Sequence, residues 1–261
     1  MKFGGAALAT PQKIEQIARI IVDEKKIYNR CIVVLSAMGN TTNDLIALAK
    51  QMHPDPPQRE YDMLITTGER ISIALLAMAL AKIGQKAKSF TGSQSGIITT
   101  EAHTNAKIIN VKPGRLLEAL DSDQIVIVAG FQGVSIKGEI TTLGRGGSDT
   151  TAVALAVALN APKVKFYKDV NGIFDSDPKI HPNAIFYSEL TYQKAMDIID
   201  SGAKILHKRA ISLAKNNGIL LHVRSFESDH IHGTIVGNTG SGDYKPIYES
   251  DSDPESGLEK L

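Results

Sequence analysis

Hydrophobic positions follow two patterns that take turns along this chain. Ile32 to Leu35 is a continuous apolar run rich in β-branched residues, and similar runs lie at 86–90, 125–129, 163–167 and 219–223. Such runs predict strands buried on both faces. Between them the spacing changes to three and four: Ile14, Ile17, Ile20 and Ile21 follow Thr10-Pro11, a cap residue with proline at the first helical position. The same reasoning predicts helices from about Asp44 to Met52 and at 71–83, 113–120, 149–159, 191–200 and 207–216. His53-Pro54-Asp55-Pro56-Pro57 reads as a surface connection, and Leu64 to Arg70 as a polar glycine loop ahead of a long apolar helix. Alternating buried strands and helices predict an α/β fold with a mostly parallel sheet covered on both faces. In such sheets ligands gather at the carboxyl ends of the strands. Four loops hold that position: Gly4-Gly5, Ser36 to Asn43, Gly130-Phe131-Gln132-Gly133, and 142–149.

Composition narrows the classes. The chain has 261 residues, enough for one large domain or two lobes, and its 29 basic and 28 acidic residues leave a net charge of +1. No global field therefore points to nucleic acid or an anionic membrane, and any anion binding must be local. The apolar stretch Ile71 to Ala81 is shorter than the ~20 residues of a membrane span and reads as a core helix. With no signal-peptide pattern at the N-terminus and a single cysteine, Cys31, the chain is expected in the cytoplasm, with Cys31 a buried small hydrophobe. From about Asn238 the composition turns to Gly, Ser, Pro and acidic residues, which predicts a flexible linker or tail over 238–261.

The richest chemistry lies in Thr141-Thr142-Leu143-Gly144-Arg145-Gly146-Gly147-Ser148-Asp149-Thr150-Thr151, which opens into the apolar run 152–159. Glycines admit a ligand close to the backbone, Ser148 and Asp149 suit a helix N-cap, and first-turn amides with the helix dipole favour an anion. Arg145 adds a fork for a carboxylate. Alone, the run reads equally well as a glycine turn with an ordinary cap. There is no Walker A motif, no H-E-x-x-H and no nucleophile elbow; the convergent groups are lysines, one arginine, hydroxyls and amides. Lys2 ahead of Gly4-Gly5 and Lys204 ahead of a helix are placed to meet phosphate. His230-Ile231-His232 sets two imidazoles on one strand face without a third ligand and reads as a solvated edge.

Seven motifs together resemble the aspartate kinases of the amino acid kinase family: Lys2-Phe3-Gly4-Gly5, 35–43, Thr67-Gly68-Glu69, 130–133, 142–151, 168–174 with Asp177-Pro178-Lys179, and 202–207. The resemblance spans about 1–237. It implies a three-layer αβα sandwich, an aspartate-binding part over about 1–150 and a nucleotide-binding part over about 151–237; the ACT regulatory modules that usually follow in the family are expected to be missing. It further implies phosphorylation of the L-aspartate side chain with ATP and Mg²⁺ at the entry to lysine, threonine and methionine synthesis. By the same resemblance Lys2, Lys204 and Asp149 are catalytic, Asp149 orienting the two lysines. Ser36, Thr42, Glu69, Phe131, Arg145 and Ser148 would hold aspartate, with Arg145 on its α-carboxylate and Glu69 on its α-ammonium. Lys2, Gly4, Gly5, Lys168, Asp169, Phe174, Lys179, Lys204 and Ile205 would hold the nucleotide; no residue is assigned as a metal ligand. The chain departs from the family pattern at Ala6-Ala7, where Thr-Ser is usual, and at Lys168, Phe174 and Lys208, where Thr, Tyr and Pro are usual. A homodimer is expected, with any feedback control supplied by another chain. The alternatives are a glutamate or acetylglutamate kinase, or a nucleotide-binding but catalytically silent regulatory subunit.

Overall fold

The computed structural model describes residues 1–176, 178, 180–203, 205–227, 232–237 and 246–249. An eight-stranded sheet runs through the molecule, in the order Glu189–Leu190, Thr234–Val236, Leu220–Ser225, Lys163–Lys168, Lys2–Phe3, Ile32–Leu35, Ile125–Ala129, Ala87–Phe90. Every neighbouring pair is parallel except Leu220–Ser225 with Thr234–Val236. Strand residues alternate between two apolar clusters, which is why the runs read as continuous. Val34, Val126, Val128 and Phe166 face a cluster formed with α5 (Gly114–Asp121), α6 (Gly147–Ala158), α7 (Tyr192–Asp200) and α8 (Lys208–Asn217). Val33, Leu35, Ile125, Ile127 and Tyr167 face the other, formed with α1 (Pro11–Ile27) and α4 (Thr67–Lys82). The result is an αβα sandwich with helices on both faces.

The strand positions agree with the hydrophobic pattern, Ile32–Leu35 and Ile125–Ala129 to the residue. Three local readings are corrected. The 64–70 segment is helical rather than looped: α3 (Gln58–Ile65) runs into α4 at Thr66, and α4 carries Gly68 and Glu69 buried in its first turn. The joined rod, Gln58–Lys82, is 25 residues long with a hydropathy of 1.5, long and apolar enough on those criteria to cross a bilayer. Here its inner side, Ile73, Leu76 and Leu80, packs into the sandwich. A second sheet also exists, in the order Ile108–Val111, Ile97–Thr99, Gln132–Ser135, Ile140–Thr142. Its strands are only three or four residues long, and Gln132-Gly133 and Thr142 within them had the signature of loops. Finally, 246–249 belong to the folded body, with Tyr248 buried in the core, and not to a flexible tail. The rest of the expected tail, 238–245 and 250–261, lies outside the described residues, as do His230 and Ile231.

Candidate active site

The glycine run folds as a strand end, a turn and a helix start. Ile140–Thr142 ends, Gly144 and Gly146 take φ of +71° and +72°, and α6 begins at Gly147 with Gly146 as its N-cap. Ser148 and Asp149 therefore lie inside the first helical turn, which corrects their reading as caps. Gly146 is required twice over: its backbone is left-handed, and a Cβ there would fall 2.1 Å from the His207 ring. At Gly130 a side chain would meet Ser148 Cβ at 2.7 Å, so glycine lets these two loops close on each other. Phe131 beside it is held at φ +69°, a strained conformation for a bulky residue, where its N–H donates to Thr151 Oγ1 at 3.2 Å.

Around this start lies a cavity of about 620 Å³ at the carboxyl ends of the strands. Lys2, Ser36, Thr42, Glu69, Phe131, Arg145, Ser148 and Asp149 all line it. Thr142, part of the glycine-run motif, lines it as well, together with Tyr61 and Thr104, which sequence reasoning missed because the first sits on α3, a helix the pattern did not predict, and the second on a loop of the unforeseen small sheet. Asp62 ties these together: buried, it accepts from the Thr142 hydroxyl at 2.6 Å, from the Thr104 N–H at 3.1 Å, and bonds His103 Nδ1 at 2.8 Å.

Charge in the cleft is unevenly spent. Lys2 Nζ meets Asp149 Oδ1 at 2.7 Å and Lys168 Nζ meets Oδ2 at 3.5 Å, all three side chains being largely buried. Lys168 thus joins Lys2 on Asp149, a pairing the sequence did not announce, while Lys204 and Lys179, with Asp177, lie outside the described residues. Burial works to raise the Asp149 pKa, but Lys2 and Lys168 outweigh it and hold it below the usual carboxylate range. Burial, with Lys2 adding repulsion, lowers Lys168 to about 8 against the attraction of Asp149. Glu69 sits opposite. Its Oε1 accepts from the Ala37 N–H at 3.1 Å, while Oε2 is buried with no partner among the described residues, and burial raises the carboxyl to about 8. Arg145 is exposed on the rim.

Gly4 adjoins Lys2, and the Gly5 carbonyl accepts from the Gly39 N–H at 3.0 Å, binding the first glycine loop to the 36–43 loop. Of the other nucleotide candidates, Asp169 is exposed next to Lys168, Ile205 packs against the core, and Phe174 meets Phe186 edge-on at 5.3 Å between ring centres. None of the three lines the cavity. A second cavity, of about 260 Å³, lies at the amino ends of the strands behind Leu117, Leu120, Leu155 and Leu159. It lacks glycine loops, and its charged neighbours Glu24 and Lys165 already pair with each other.

A sandwich with a lysine- and amide-rich anion cleft at a helix start defines a class of phosphate-handling α/β proteins. Residues 1–225 match the amino acid kinase family, and the chain belongs to it. It is 53% identical to an aspartokinase of Mycolicibacterium smegmatis over 236 residues, 90% of this chain and 56% of that protein. It thus spans little more than half the length of such curated relatives. The crystal structure of aspartate kinase from Synechocystis superposes with a TM-score of 0.84 at 43% identity, covering 95% of this chain and 40% of that one. E. coli aspartokinase III in complex with aspartate and ADP (R-state) gives 0.81 at 26% identity, covering 92% and 64%.

Proposed function

We propose that the chain transfers the γ-phosphoryl group of ATP to the side-chain carboxylate of L-aspartate, giving 4-phospho-L-aspartate and ADP. The observation that carries this reading is the cleft in which Lys2, Asp149, the α6 start, Arg145 and Glu69, one of whose oxygens has no partner among the described residues, line one cavity, with Lys168 paired to Asp149. Relatives named aspartokinases and a related structure holding aspartate and ADP support it.

The chemistry asks for little beyond what these groups supply. An aspartate side chain, with an ordinary pKa near 3.9, is already ionised at neutral pH, so no general base is needed. The carboxylate oxygen forms a bond to the γ-phosphorus while the bond to the ADP oxygen breaks, and the leaving electron pair stays on ADP. The barrier is the approach of two anions and the charge spread over the phosphoryl oxygens. At about 4 Å and an effective dielectric near 20, each unit charge contributes about 4 kcal/mol against that repulsion. Lys2, Lys168 and the amides of Gly4, Gly5 and α6 are placed to contribute it. Asp149 keeps both lysines in position and prevents their mutual repulsion from scattering them. Arg145 takes the α-carboxylate, and the free Glu69 oxygen takes the α-ammonium, whose charge pulls the carboxyl into its ionised form. Lys204, Lys179, Phe174 and Ile205 complete the nucleotide contacts expected from the family pattern.

No group of three or more His, Cys, Asp or Glu among the described residues forms a metal cage. Mg²⁺ would be carried in on the nucleotide phosphates, with Asp149 the carboxylate beside Lys2 in the cleft available to it. Bound there, Mg²⁺ neutralises phosphate charge. The 1–150 and 151–237 segments serve aspartate and nucleotide respectively, and a cytoplasmic enzyme of lysine, threonine and methionine synthesis, working as a dimer, follows from the same reading. An ATP- and Mg²⁺-dependent hydroxamate assay tests it, run with aspartate, glutamate and acetylglutamate. Aspartate-dependent product well above that of Asp149→Ala is expected. A preference for glutamate, or nucleotide binding by calorimetry without turnover, overturns it.

A further inference from the structure

The substrate loop is held from behind by a segment a hundred residues away. Ile247 exchanges two hydrogen bonds with the Asn217 side chain at the end of α8, at 2.8 and 2.9 Å, and Tyr248 is buried against the α6 and α8 side of the core. Glu249 then pairs with the small sheet: its N–H donates to the Ile108 carbonyl at 3.2 Å, and Oε2 accepts the Ile108 N–H at 2.8 Å. Its other oxygen accepts from Arg209 Nε at 2.7 Å, in a pair whose side chains are 24% and 11% exposed.

Arg209 lies in the first turn of α8 and gives its remaining donors to backbone around the cleft. Nη2 donates to the Ala106 carbonyl at 3.0 Å, and Nη1 donates to the Leu143 carbonyl and, at 3.5 Å, to Asn105 Oδ1. Leu143 immediately precedes Gly144-Arg145-Gly146, and Asn105 Oδ1 lies 3.0 Å from where a Gly144 Cβ would be. The same helix start presses the His207 ring over Gly146. The loop that carries Arg145 is thus bracketed by α8 on both sides. A guanidinium is a rigid planar fork, so the carboxylate that fixes Nε fixes the direction of every other donor as well. Arg145 makes no hydrogen bond or ion pair with a described residue, so its position follows the backbone that Arg209 holds.

We propose that residues 246–249 form a strap that positions the Gly144-Arg145-Gly146 loop through Arg209. Glu249 and Arg209 are then positioning residues for the substrate α-carboxylate. This rests on the function proposed above for the identity of the substrate, but not for the mechanics.

The test compares the full chain with Glu249→Ala and Arg209→Lys, the latter keeping charge and losing the fork. Hydrogen exchange is followed by mass spectrometry in peptides covering 143–149, with 125–129 as an internal reference. Both variants are expected to speed exchange at 143–149 severalfold while leaving 125–129 unchanged. The KM for aspartate is expected to rise about three- to thirtyfold, with kcat and the KM for ATP within about twofold. Faster exchange confined to 108 and 246–249, with 143–149 unaltered, overturns the strap. So does an equal loss in both KM values. Should Glu249→Ala not fold, Glu249→Gln removes only the charge and must give the same pattern at smaller amplitude, or the proposal fails. A parent chain that does not phosphorylate aspartate removes the proposed function, while the exchange pattern still decides the strap.

Discussion

Lys2–Phe3 and Lys163–Lys168 pass between two buried charge clusters built from nearly the same parts. At the carboxyl end Asp149 stands between Lys2 and Lys168, at 2.7 and 3.5 Å. At the other end Glu24 stands between Lys165, at 2.8 and 2.5 Å, and Arg224, at 3.9 Å, with the Tyr167 hydroxyl donating at 2.8 Å. The Glu24 carboxylate is saturated, with donors on both of its oxygens, although it borders the cavity of about 260 Å³ at the amino ends of the strands. The Asp149 cluster is open, beside an empty Glu69 oxygen, a rim arginine without a described partner and a helix start. A buried ion pair on its own is weak evidence for a site. Capacity left unspent within one cavity is the stronger sign.

The largest expected difference between the clusters comes from neutralising each carboxylate. Asp149→Ala leaves two lysines without their common anchor and is expected to lower turnover by about 10²- to 10³-fold. Glu24→Gln is expected to keep turnover within about threefold while destabilising the fold by about 3 kcal/mol, since it uncovers buried cations. Hydroxamate rates and urea titrations of both variants check this, and equal losses of activity would erase the distinction. Next comes Gly146→Ala, which needs a strained φ and displaces His207 from the loop. It should cost about 1–3 kcal/mol and most of the activity, with a Tm and rate measurement as the check.

Glu69→Gln sharpens the comparison in a different direction. The folded carboxyl is raised to about 8 by burial, so its contribution to stability is full below the unfolded value of 4.5 and is lost as pH rises through 8. The variant should therefore be more stable than the parent at pH 8.5 and indistinguishable at pH 4. Its KM for aspartate should rise about tenfold or more through loss of a charged partner for the ammonium. Thermal melts at the two pH values with aspartate titrations decide it. The smallest effect is expected from Lys168→Met. Lys168 is lowered to about 8 and loses its charge above that value, so turnover should fall on the alkaline side of pH 8. The pH–rate profile of the variant should lose that limb, at a cost of about 10-fold or less at neutral pH.

Much of this was legible in one dimension. Continuous β-branched runs placed the strands of the large sheet because both their faces are buried, and cap-and-period signals placed most helices within a residue or two. The glycine run offered an anion site at a helix start but alone read equally well as a glycine turn with an ordinary cap, and only its company of motifs separated the two. What stayed hidden had physical reasons. The small sheet consists of strands of three or four residues, and part of its pairing is distant, such as Ile98 opposite Val134. Its pairing is written in contacts, and no run of hydrophobicity marks it. Thr104 was invisible because its bond to Asp62 forms only in the folded chain, and Tyr61 because it lies on α3, for which the hydrophobic pattern gave no signal.

Composition, periodicity and motif order thus determined the layers, the strand positions and the loops that carry charge, because burial and local backbone geometry leave a mark at each position separately. Tertiary structure alone decided that Asp149 holds Lys168 together with Lys2, that one Glu69 oxygen has no donor among the described residues, and that Glu249 reaches the 143–146 loop through Arg209. Each of those depends on which side chains meet across 19 to 147 positions of chain, and electrostatic pairing at a few ångströms has no counterpart in sequence spacing.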